Sequence, residues 1–151
     1  MSHPTHINPS SAVPPYQTLF SIATIVPSGS SLAYISTQWA GDADGNVLHA
    51  GDYHGQSKVV WGNVAKILKE MGCGLKDVVH RKITFVDFDD EIGKQVVTAL
   101  MEVMPEEKEH WFSSALTFAR TPGFHKPGVV YSVSLCIPFR VLAVFWCWKR
   151  G

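Results

Sequence analysis

Seven histidines are spread along the chain, at His3, His6, His49, His54, His80, His110 and His125. Imidazole binds metals and moves protons near neutral pH, so each is a candidate for chemistry. Their spacing argues against a metal. His49 and His54 are five apart across Gly51-Asp52, and no helical H-x-x-x-H pair occurs. Asp42, Asp44 and Asn46 are spaced like the opening of a calcium loop, but the closing glutamate is missing. A hairpin turn is expected there, with no metal and no cofactor. Ser113-Ser114 offers hydroxyls without a G-x-S-x-G elbow, so a nucleophilic serine is not expected. Cys73, Cys136 and Cys147 are far apart and form no C-x-x-C pair. An odd set without a framework fits a reducing compartment, hence a cytoplasmic location. Cys73 lacks a clear activating neighbour and should be inert.

Charge narrows the partners. Thirteen basic and thirteen acidic residues give a formal net charge of zero. Proteins held by phosphate contacts are normally basic, so nucleic acid is not an expected partner. Arg81-Lys82, with Lys66 and Lys76, reads as a solvated strand start rather than an RNA patch. The chain has 151 residues, of which 46% are hydrophobic and 17% charged. That is the length of one domain and the composition of a folded one. A low charged fraction with zero net charge also suits a surface buried against copies of itself.

Residues 1–15 are polar and proline-rich, and read as a flexible or loosely docked arm without signal-peptide character. No apolar run is long enough to span a membrane, so a membrane is not an expected partner either. The last stretch, 140–151, is a dense apolar extension. Its leading reading is an added strand or plug at an interface or cleft, ahead of a disordered end and, third, a membrane-surface anchor.

Hydrophobic periodicity supplies the elements between these ends. Strands are expected at 19–26 and 32–37, with a turn at Asp44-Gly45. A helix is expected at 52–72, with Val60, Val64, Ile67, Leu68 and Met71 on one face, Asp52 as cap and Gly72 as stop. A strand follows at 78–86, with Val79, Arg81, Ile83 and Phe85 on the more apolar side. A second helix is expected at 90–104, buried through Ile92, Val96, Leu100 and Val103 and ended by Pro105. Two more strands are expected at 114–119 and 129–137. In the last, Tyr131, Val133, Leu135 and Ile137 share one face. The fold class is α+β, with two helices on one face of a mixed sheet. The other face would be left for a copy of the chain.

Several linked pieces resemble one family. They are Pro15-Tyr16, the strand Tyr34-Ile-Ser-Thr-Gln38, Gln56 followed by Asn63 to Gly72, Gly74-Leu-Lys-Asp-Val-Val79, and Ala119-Arg-Thr-Pro122. In order and spacing, over residues 8–139, they resemble the YjgF/RidA family, also called the L-PSP endoribonuclease family. The resemblance implies a chorismate-mutase-like fold, with residues 16–139 as the domain. It also implies a homotrimer, a central barrel of three sheets and ligand clefts between subunits. The activity it implies is hydrolysis of reactive imines and enamines.

The pattern breaks at the family's site. Counting back from Arg120, Ser113 stands where deaminase members carry a carboxylate-holding arginine, which grips by two parallel hydrogen bonds. Tyr131 or Ser132 stands where a water-orienting glutamate is found. Ala115 and Thr37 replace a cysteine and a glycine. The remaining cleft is expected to contain Tyr16, Ser36, Thr37, Gln38 and Trp39 from the first half of the chain. Trp111, Ser113, Ser114 and Ser132 come from the second half. His110 and Tyr131 are the candidate acid/base groups. Such aromatic and hydroxyl lining suits a flat, neutral ligand. The leading expectation is a small-molecule enzyme acting on an imine, enamine or carbonyl-bearing metabolite, including secondary metabolites. The alternatives are a non-catalytic ligand-binding trimer and, third, a ribonuclease or translation inhibitor.

Overall fold

A computed structural model describes residues 3–11 and 20–139. The expectations for Tyr16 and for the extension 140–151 lie outside the described residues.

Helix α1 is Tyr53–Glu70. The Asp52 side chain caps it, accepting from the Gly55 amide at 3.0 Å. Val60, Trp61, Val64 and Leu68 recur at helical spacing and are buried. Gly72, at φ +67°, turns the chain out in the left-handed region that favours glycine. Helix α2 is Asp90–Val103, capped by Asp89, which accepts from the Ile92 amide at 2.8 Å. Asp90 and Glu91 in its first turn suit the positive end of the helix dipole. Across the two helices, Glu102 meets Lys58 at 3.0 Å and His54 at 3.2 Å. These partly exposed pairs add little beside the packing beneath them.

Among the described residues there are six strands: β1 (Thr5–Ile7), β2 (Ala23–Ile25), β3 (Ser31–Trp39), β4 (His80–Phe85), β5 (Ala115–Arg120) and β6 (Tyr131–Phe139). β1 and β2 pair antiparallel as a separate ribbon, with His6 opposite Thr24. Part of the segment read as an arm is therefore a strand, because its backbone finds a partner once the chain folds back. The main sheet has the order β3-β6-β4-β5. β6 runs antiparallel to both neighbours, and β4 and β5 are parallel, joined through α2. β3 runs two residues beyond its expected end. An irregularity between Ile35 and Gln38 leaves Ser36 and Thr37 outside the ladder.

The core lies between the helices and one face of this sheet. Ile35, Ile83, Phe85, Tyr131, Val133, Leu135 and Ile137 meet Val60, Trp61, Val64, Leu68 and Leu100 there. Each such side chain contributes about 1.5–3 kcal/mol by leaving water. The same alternation that buries Ile83 and Phe85 buries Arg81, which is only 3% exposed. Arg81 is thus not part of the solvated strand start expected for it, and it cannot join Lys82 in a basic surface patch. On the sheet's second face, the register aligns Trp39, Ser132, Thr84 and Ala119 in one row. Ser134, Lys82 and Thr117 form the next row, and Tyr34, Cys136, His80 and Ala115 the third. This open face is mostly polar, with exposed Leu32 and Tyr34 on the edge strand.

Gln56, fully buried on α1, holds two loops against the domain. Its Nε2 donates to the carbonyls of Gly128 (2.7 Å), His49 (3.1 Å) and Leu48 (3.3 Å). Its Oε1 accepts from the Val130 amide at 2.9 Å. The Asp42 turn is a hairpin turn as expected. The carboxylate accepts from the Asp44 and Asn46 amides and from the Asn46 side chain, which holds its pKa below the usual range.

Candidate functional site

The segment from His110 to Ser114 is locked from three directions. From the end of α2, Met104 O accepts from Trp111 Nε1 at 2.8 Å. From inside the sheet, Arg81 Nη1 donates to Trp111 O at 2.7 Å. From the N-terminal side, Ser21 donates its amide to Ser114 O at 3.1 Å and its hydroxyl to Ser113 O. Within the segment, Ser113 Oγ donates to His110 O at 3.1 Å. The β1–β2 ribbon adds His6. Its Nδ1 lies 3.2 Å from Thr24 Oγ1. Burial lowers the pKa of His6, helped by the neighbouring charge of His110.

Ser36, Thr37, Gln38 and Trp39 form a second group at the irregular end of β3. Gln38 Nε2 donates to Ser36 O at 3.0 Å. The Trp39 ring lies over Gly41, where a Cβ would come within 2.5 Å of it, and meets His125 edge-on at 6.2 Å. Ser132, which is buried, shares the open-face row with Trp39.

These two groups do not meet within one subunit. Trp39 and Ser132 align with Thr84, whereas Ser113 precedes Ala115, which aligns with His80. Thr84 and His80 are four residues apart, or ~13 Å along the strand. β3 and β5 are opposite edges of the sheet, three strand spacings or ~14 Å apart. The expected cleft residues therefore occupy diagonal corners of one sheet.

Tyr131 corrects the expected acid/base pair. It is fully buried on the helix side of β6, opposite to Ser132. Its ring packs against Phe85 at 5.4 Å. Burial pushes its pKa well up, and Trp61, Arg81 and Ser57 oppose this only in part. Ser57 Oγ and Trp61 Nε1 are the buried polar groups that face the Tyr131 hydroxyl, with no well-aligned hydrogen bond among the three. A group so enclosed does not reach a ligand on the open face. His110 is left as the acid/base candidate of the locked segment.

Two placements, those of Arg81 and His80, went unread in the sequence. Arg81 anchors the His110 segment from the core, and burial lowers its pKa to about 10, so it stays charged at neutral pH. Its place on the apolar phase of the alternation was the available signal. His80 Nε2 lies 2.8 Å from Thr117 Oγ1 on the open face, with its pKa lowered by burial and by Arg81. Arg120 pairs with Asp87 and donates through Nε to Val86 O at 3.2 Å, tying the ends of β4 and β5. No group of three or more metal-ligating side chains gathers among the described residues. Burial raises the Cys136 thiol pKa. No helix among the described residues is long and apolar enough to cross a membrane.

A two-helix layer on a mixed sheet, with its polar groups along one open face, defines an α+β domain of the YjgF/RidA architecture. Residues 17–120 match the profile described as endoribonuclease L-PSP, and the chain belongs to that family. No curated protein matches it. Among solved structures, a Rid-family protein of unknown function from Yersinia pestis, YyfB, is similar with a TM-score of 0.76 at 20% identity. That likeness covers 91% of this chain and all of the other. RidA from the Antarctic bacterium Psychrobacter sp. is similar at 22% identity and TM-score 0.55, covering 80% of this chain and 88% of that one. E. coli TdcF, solved with bound serine, is similar at 18% identity and TM-score 0.54, covering 85% and 91%.

Proposed function

We propose that the chain is a small-molecule-acting member of its family whose ligand site is completed by a second copy. The separation of the His110–Ser114 segment from the Ser36–Trp39 segment carries this reading. Two halves at diagonal corners of one sheet come together when open faces of different copies pack, as in a homotrimer. In that cleft Ser113 offers a neutral hydroxyl where deaminase members grip a carboxylate, and His110 supplies the proton-transfer group. The substrate class is then a neutral imine, enamine or carbonyl compound, including secondary metabolites, turned over by hydrolysis or proton transfer. The free thiols of Cys73 and Cys136 support a cytoplasmic location.

Sedimentation combined with ammonia release tests this. The expected result is a trimer that releases ammonia faster from the methyl ester of a 2-imino acid than from the free acid. A monomer, or a preference for the free acid, overturns it. The burial of Tyr131 favours one second reading, a ligand-binding trimer without turnover. Saturable binding of the ester with no ammonia release selects that reading.

A further inference from the structure

A cavity of about 40 Å³ lies inside the subunit, between α2 and the helix side of β4 and β5. It is on the opposite side of the sheet from the open face. Phe85, Phe88, Phe112 and Phe118 line it, together with Trp61 and Arg81. Phe88 and Phe118 stand at its outer side, 46% and 43% exposed, with ring centroids 5.5 Å apart. Phe88 also packs on Phe85 at 5.0 Å. α2 presents Gly93 beside the Phe88 ring, where even a Cβ would sit at 3.4 Å. Phe88 lies on the short connection between β4 and α2, immediately before the Asp89 cap.

We propose that this cavity is a binding site for a small planar aromatic molecule, with Phe88 as its gate. Apart from Arg81 its lining is apolar, which favours an apolar occupant. In its closed form it is too small for a benzene ring, which needs a cavity nearer ~150 Å³. The occupant therefore takes the seat that the Phe88 ring now fills, between Phe85 and Phe118. Aromatic rings meeting at tilted angles favour another ring there. The buried Arg81 cation favours a π-face over an aliphatic chain.

Titration of indole into the isotope-labelled full chain, followed by NMR, tests the site. Indole should shift the Trp61 side-chain N–H and the amides of Val96, Val97 and Phe118, and cyclohexane should not. Phe88→Ala, at a half-exposed position, should bind indole at least several-fold more tightly. Val97→Phe, or Leu116→Phe if the first does not fold, should abolish the shifts. Shifts confined to the open face, equal binding of cyclohexane, or silence in both the parent chain and Phe88→Ala would overturn the proposal.

Discussion

Arg81 Nη1 donates to the Trp111 carbonyl at 2.7 Å, joining the centre of the core to the segment that carries His110 and Ser113. A charge-assisted bond from a buried cation gives that segment a fixed seat. Arg81→Met keeps most of the apolar stem and removes the donor. It should cost about 2 kcal/mol in urea denaturation, since Trp111 O loses its partner. Amide shifts should concentrate in residues 110–114. Shifts spread evenly over the core would show that the bond does not set the segment.

Tyr131→Phe should behave differently. The hydroxyl it removes is buried beside Ser57 and Trp61, with no well-aligned hydrogen bond to either. Stability should change by less than about 1 kcal/mol, in either direction. Ammonia release from the ester probe should match the parent chain. A folded Tyr131→Phe variant without turnover would return the residue to the catalytic machinery.

Loss of Gln56 should be severe. Gln56→Leu leaves three carbonyls and the Val130 amide without their side-chain partner. A cost of at least ~3 kcal/mol is expected from unmet buried groups. Hydrogen exchange should quicken in residues 41–52 and 124–130 before it does in the helices.

Stability should fall on mild acidification. His80 has its pKa lowered from 6.5 by burial and by Arg81, and His6 from 6.5 by burial and by His110. Both are thus harder to protonate folded than unfolded. The stabilisation is complete above pH ~6.5, shrinks as the unfolded chain takes up protons below it, and levels off below the folded pKa values. Thermal melts from pH 8 to pH 5 should show this slope, and His80→Gln should flatten it. An unchanged slope in that variant would assign the effect elsewhere.

Local patterning determined much of this protein. Helix spacing and caps marked α1 and α2 to within two residues or so, because 3.6-residue periodicity and Asp caps act within a few positions. Strand alternation put Tyr131 with Val133, Leu135 and Ile137 on the apolar side of β6. Matching it to a cleft position crossed that alternation, and a shift of one residue in a strand changes face. Long-range pairing was not written in any window. The β1–β2 ribbon, the insertion of β6 between β3 and β4, and the locking of Ser113 by Ser21 and Arg81 join residues far apart in sequence. Their energies exist only after chain closure. Tertiary structure alone also decided that the two groups of expected cleft residues lie at diagonal corners, because strand order, not sequence order, sets that separation.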